Sequence, residues 1–193
     1  MASINDLIRM GKTLFIKPRR LNKIMVVGFV GPLGSGKDYR ASKLAKHGYI
    51  KVALADSLRQ SAWQILNWKP KNPEEYDLFK KSQIDIEGFG KVDGRLFLQK
   101  LGEGLREYDE DFWIKKWKNA IENLTKQGYS KFCCTDIRYP NELEALKYFS
   151  NAETHCIFCD YHSERYDADN KHISEQMAQD FIKKGYKDGD RIF

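Results

Sequence analysis

Lys23-Ile-Met-Val-Val-Gly-Phe-Val30 is apolar from its second residue onward and runs directly into Gly31-Pro-Leu-Gly-Ser-Gly-Lys-Asp38. A continuous apolar run, rather than an alternating one, is what a central parallel strand buried on both faces requires. The glycine-rich stretch behind it fits G-x-x-x-x-G-K, with Asp38 where Ser or Thr is usual. Glycines let a backbone wrap closely around phosphate oxygens with several N–H groups pointing inward. The start of the following helix adds its positive end to the same spot. We therefore expect a first strand over 23–30, then a phosphate-binding turn at Gly31, Gly34, Ser35, Gly36, Lys37 and Asp38. A helix over roughly 37–47 should follow.

Outward from this unit, strand-like and helix-like segments alternate, the pattern of a parallel sheet with crossover helices. GYIKVALA (48–55) reads as a second strand leading into a helix capped by Asp56 or Ser57 and reaching about Trp68. Residues 69–92, with Pro70, Pro73, Gly88 and Gly90 among charges, read as an irregular or partly helical insertion able to close over a substrate. Helical spacing resumes at 94–106 and 111–127. KFCCTDI (131–137) is a buried strand, 140–150 a helix and THCIFC (154–159) another strand. A charged, lid-like stretch over 160–171 then precedes a helix from about His172 or Ser174. The expected fold class is α/β, a three-layer sandwich of the P-loop NTPase type with helices on both faces of a parallel sheet.

With 193 residues, 41% of them hydrophobic, residues 23–193 suffice for one domain. The basic stretch 1–22 reads as a solvated leader without a nucleic-acid motif. A net charge of +6 favours anionic partners such as nucleotides. No segment has the apolar length of a bilayer span, so a cytosolic protein is expected. Four cysteines are too few for a disulfide scaffold. Cys156 and Cys159 form C-x-x-C and Cys133 and Cys134 are adjacent, but both pairs lie in apolar strand-like runs. There a free Cys behaves as a small hydrophobe, and a strand cannot aim both thiols of a C-x-x-C to one face.

A phosphoryl-transfer site needs cations for a second phosphate and carboxylates near the reacting oxygens. Asp38 and Asp136 are candidate Mg²⁺ ligands, although Asp38 alone would serve as a helix cap and Asp136 could cap the next helix. Arg138 lies two residues beyond Asp136. Arg95 and Gln99 share a helical face, with Arg106 two turns further on.

Five blocks carry a family resemblance: SGKD (35–38), LADSLR (54–59), RLFLQKLG (95–102) with DEDFWIKKW (109–117), DIRYPNE (136–142) and HISE (172–175). In this order they resemble the phage deoxynucleoside monophosphate kinases, over about residues 24–190. Asp after the P-loop lysine is itself the pattern of that family. The resemblance implies a nucleoside-monophosphate-kinase-like fold, with ATP and Mg²⁺ at the turn and an acceptor pocket using Asp56, Arg95, Gln99, Arg106, Asp136 and Arg138. Lys37, Asp56, Arg138 and, in the lid, Arg165 are the candidate catalytic residues, and a homodimer is implied. Tyr39 departs from the Thr common in the family, which bears on the metal shell. The short 69–92 insertion bears on base specificity. Phosphomevalonate kinase and dephospho-CoA kinase are the nearest rival activities. An ATP-dependent binding module is a rival of another class.

Overall fold

The computed structural model describes residues 23–149, 153–160 and 173–193. The leader 1–22, Arg165, His172 and nearly all of the lid-like segment lie outside the described residues. So does the side chain of Glu175.

The chain forms β1 (Met25–Val30), α1 (Lys37–Ala45), β2 (Ile50–Lys51), α2 (Ala55–Ile65), α3 (Pro73–Lys81), β3 (Ile84–Ile86), β4 (Gly90–Val92), α4 (Gly94–Tyr108) and α5 (Phe112–Lys126). It continues with β5 (Lys131–Cys134), α6 (Pro140–Ala145), a 3₁₀ turn at Leu146–Tyr148, β6 (Glu153–Phe158) and α7 (Ile173–Lys183). Four strands make a sheet in the order β2-β5-β1-β6, and every pairing in it is parallel. β3 and β4 form a separate antiparallel hairpin. Among the described residues no helix is long and apolar enough to cross a membrane.

Alternate side chains of β1 explain the layering. Val26 and Val30 face a core closed by Ile114, Trp117 and Ile121 of α5 and by Ala178 and Phe181 of α7. Val27 and Phe29 face the opposite side, which Ala41 of α1 covers. The sheet therefore has helices on both faces, and its central strand is buried as its apolar run requires. The cysteines obey the same two-residue period: Cys134 and Cys156 join the first core, Cys133 and Cys159 the second. Burial raises all four thiols above the ordinary range, Cys156 to about 12 and Cys159 to about 11, so they pack as neutral thiols.

Two local expectations are corrected and a third is refined. The second strand is only Ile50–Lys51, not 48–55, because the amides of Leu54 and Ala55 are taken by the Asp136 carboxylate, both at 2.9 Å, instead of by a neighbouring strand. Consequently the next helix starts at Ala55, Asp56 sits in its first turn, and neither Asp56 nor Ser57 caps it. The 69–92 segment is partly helical, one of the two forms expected of it, and adds an antiparallel hairpin. Asn72 caps α3 by accepting from Glu75 N at 2.8 Å, Pro73 occupies the first turn, and the hairpin follows. Its Phe79 and Ile86 pack with Leu66, Trp63, Trp68 and Phe97 in a third, aromatic cluster beside the main cores.

Candidate active site

The loops that leave the carboxyl ends of β1, β2 and β5 meet at one edge of the sheet, where open parallel sheets bind ligands. The turn after β1 is built as its glycines demand. Gly34 and Gly36 hold φ of 82° and 80°, a region that side chains disfavour. Gly36 is the residue preceding α1, and no side chain caps that helix. Lys37 folds over the turn, its Nζ donating to the carbonyls of Gly31 at 2.6 Å and Pro32 at 2.5 Å. Ser35 is buried inside the loop.

Asp38 points to the neighbouring strand ends. Its carboxylate accepts from Lys51 Nζ at 2.5 Å and from Thr135 Oγ1 at 2.8 Å. Partial burial pushes its pKa up, but these two bonds and the charge of Lys37 outweigh that and hold the carboxyl below its ordinary value. Asp136 lies two residues past the end of β5 rather than within the strand. It caps α2, not the helix that follows it in sequence. Among the described residues no group of three or more His, Cys, Asp or Glu side chains could hold a metal ion by itself. A Mg²⁺ ion, which keeps several waters and takes oxygens from its substrate phosphates, needs only one or two protein carboxylates. Lys51 and Thr135 both bond Oδ1 of Asp38, which suits that carboxylate to the role, whereas both oxygens of Asp136 already accept from the Leu54 and Ala55 amides, which suits it to a contact through water.

Beside the turn opens a cavity of about 500 Å³. Leu33 from the turn, Leu54 and Leu58 from the α2 region, Leu98 from α4 and Trp113 from α5 make its apolar walls. Arg59, Arg95, Arg106 and Arg138 all line it. Five of the six residues expected on the acceptor side converge here: Arg95, Gln99, Arg106, Asp136 and Arg138. Asp56 is not in the lining. It accepts from Arg59 at 2.5 Å and from Ala53 N at 2.8 Å, so it positions a cation that is. That pairing raises the pKa of Arg59 despite burial, which acts in the opposite direction, and keeps the guanidinium charged.

No family model matches the chain. Over 131 residues, 66% of its length, the chain is 28% identical to an uncharacterized protein, ORF77, of Ictalurid herpesvirus 1 (strain Auburn). It is similar to a herpesvirus protein. The match spans about half of that protein, 48% of its length.

Sequence reading missed Arg59, Tyr76, Lys80 and Glu142 as cavity residues. Arg59 had a local signal, its i,i+3 spacing from Asp56. Glu142 had one too, three residues after Tyr139 at the start of α6, where it accepts from the amides of Arg138 at 2.7 Å and Tyr139 at 3.1 Å. Its other oxygen accepts from Arg106 Nη1 at 3.4 Å. The Arg106 guanidinium lies 3.6 Å from the centroid of the Tyr139 ring. Burial and the charge of Asp136 push the Glu142 carboxyl up from 4.5 to about 7, against the two amides and Arg106. A carboxyl raised on folding contributes stability that is complete below the unfolded value and is lost as pH rises through the folded one. Between pH 4.5 and about 7 the folded state should therefore lose on the order of 3 kcal/mol through this group. Glu142→Gln cannot titrate. Urea unfolding of both proteins across this window should show the wild type losing that much more than the variant; equal pH slopes would disprove the assignment.

Proposed function

We propose that this protein is an ATP-dependent kinase of phosphorylated small molecules, with deoxynucleoside monophosphates as acceptors and diphosphates as products. The observation that carries the reading is the cavity: four arginines on one lining with apolar walls, opening beside a glycine-rich turn that ends in Lys37. Planar guanidinium groups grip phosphate oxygens in a bidentate way, and apolar walls suit the flat body of a nucleotide. Four of the five sequence blocks that resemble the phage enzymes, SGKD, LADSLR, RLFLQKLG and DIRYPNE, contribute to this same edge.

In this reading Gly31 to Lys37 cradle the donor phosphates with backbone amides, and Asp38 and, through water, Asp136 would hold the metal. Bound Mg·ATP supplies the γ-phosphoryl group and neutralises its charge. The chain's own work is positioning: Arg106 and Arg138 orient the acceptor phosphate, and Asp56 fixes Arg59 in the lining. An acceptor phosphate is already anionic near neutral pH, so no strong base is required. The lid role of Arg165 belongs to the same proposal.

The test is incubation with Mg·ATP and each deoxy- and ribonucleoside monophosphate, following ADP and diphosphate together. At least one dNMP should be converted. Arg138→Ala should raise the KM for that acceptor by roughly tenfold or more, the worth of a charge-assisted hydrogen bond, with little change in the KM for ATP. Conversion of phosphomevalonate or dephospho-CoA with no nucleotide converted would replace the acceptor assignment. ATP binding without any transfer would favour a binding module.

A further inference from the structure

The cavity carries its own counter-anion. Glu142 is buried, and its two oxygens divide their work: Oε2 takes the amides of Arg138 and Tyr139, Oε1 faces Arg106. A helix-capping role uses only the first oxygen. The second binds, across 36 residues of chain, a guanidinium that lines the cavity. Arg106 also lies 3.4 Å from Asn141 Oδ1 and over the Tyr139 ring, contacts that favour its staying beside Glu142 when a ligand arrives. An anion on Arg106 must then share that cation with a buried carboxylate a few ångströms off.

We propose that Glu142 sets the charge capacity of the cavity, competing with the ligand for Arg106 and yielding to a dianionic phosphoryl or sulfuryl group by taking up a proton. The proposal rests on the reading of this cavity as an anion site, and adds to it the residue that governs which charge state binds.

Charges facing Glu142 come from every side that packs on it. Arg106 reaches it from α4, and Asp136 acts on it from the loop after β5. Asp111, ahead of α5, is linked to it only through the Nδ2 of Asn141, at 2.8 Å. Arg106 favours the ionised form and Asp136 opposes it, while burial opposes it most. The carboxyl is therefore held above its ordinary value, at about 7, and a further negative charge on Arg106 pushes it the same way, toward the protonated form. By reciprocity, whatever a dianion does to the proton affinity of Glu142, protonation of Glu142 does to the affinity for the dianion. The sign is fixed: binding raises the carboxyl further, and affinity falls as pH rises through its midpoint. Once protonated, the carboxyl keeps one oxygen for the Arg138 and Tyr139 amides, so the turn retains its cap.

Those two amides make the test direct, because they donate to the group in question. Their ¹H–¹⁵N shifts are followed from about pH 5.5 to about pH 9 in the full chain, without anion, with inorganic sulfate, and with a deoxynucleoside monophosphate. Sulfate does not titrate in this range, so any movement belongs to the protein. The Arg138 and Tyr139 amides should titrate together near neutrality. Saturating sulfate should move that midpoint upward by about one pH unit, equivalent to about tenfold weaker sulfate binding on the alkaline side. Glu142→Gln should abolish the titration and make sulfate affinity nearly independent of pH. Should that variant not fold, the wild-type titration alone decides.

A midpoint that sulfate leaves in place, or amides that do not titrate, would overturn the proposal. A midpoint moved by sulfate while every nucleotide fails as a substrate would remove the nucleotide reading and leave this one standing. Nucleotide turnover with an unmoved midpoint would do the reverse.

Discussion

Lys37→Ala is expected to reduce phosphoryl transfer by roughly 10³-fold, the loss found when a fixed donor to a developing oxyanion is removed. Nothing else in the turn supplies a full positive charge: Gly31 to Ser35 offer amides and one buried hydroxyl. The ammonium donates to the carbonyls of Gly31 and Pro32, at 2.6 and 2.5 Å, so it already sits over the turn and needs only a rotation of its stem to meet phosphate oxygens. Loss of these two hydrogen bonds should cost roughly 1 to 3 kcal/mol of stability, so transfer is compared at a temperature where both proteins are folded. Single-turnover formation of ADP from Mg·ATP and an accepted nucleotide measures the effect. A folded variant within tenfold of the wild type would show that this turn does not cradle the transferred phosphate.

Gly31→Ala should instead damage the fold, by about 3 kcal/mol, the upper end of the usual cost of overpacking. A Cβ at Gly31 would lie 2.0 Å from the carbonyl oxygen of Cys159 and 2.7 Å from Ser35 Oγ. The first is backbone and cannot step aside, because Cys159 N donates to Val30 O at 2.7 Å and ties that residue to the end of β1. Gly48 makes the control: at φ 79° its Cβ would meet nothing within 4 Å, so Gly48→Ala should cost only the ~1 kcal/mol of a left-handed alanine. Urea midpoints of the two variants give the comparison directly. Equal losses would mean that the contact between the turn and the end of β6 is not tight.

The elements that were legible in the sequence are those whose cause is local. β1 and its turn are read from an apolar run that stops at a glycine, and α4 and α5 from helical spacing. The shortness of β2 was not legible, because what ends it is a carboxylate 81 and 82 residues further on that takes the amides of Ala55 and Leu54. The insertion was legible in part, as a segment with some helix. Asn72-Pro73 and Glu75 spell a helix start, and Gly88 and Gly90, at φ 82° and 72°, belong to the hairpin. Among the many prolines and glycines, the bounds of that helix and the hairpin behind it went unread. On the site, spacing put Arg95, Gln99 and Arg106 on one helical face, and the family resemblance, not the spacing, assigned them to an acceptor pocket. Glu142 was read only as part of a block, since its burial depends on how α4 lies against α6 and no spacing along the chain encodes that.

The tryptophans are distributed so that the protein reports on itself optically. Trp63 and Trp68 stand in the aromatic cluster with Phe79, Trp113 lines the cavity with its Nε1 held by the Gly102 carbonyl at 3.1 Å, and Trp117 is sealed in the main core. Emission from one untouched chain therefore samples three regions at once. A ligand entering the cavity perturbs the Trp113 component, loosening of the α3 and hairpin unit reddens the Trp63 and Trp68 component, and the Trp117 signal persists until the central sheet itself comes apart.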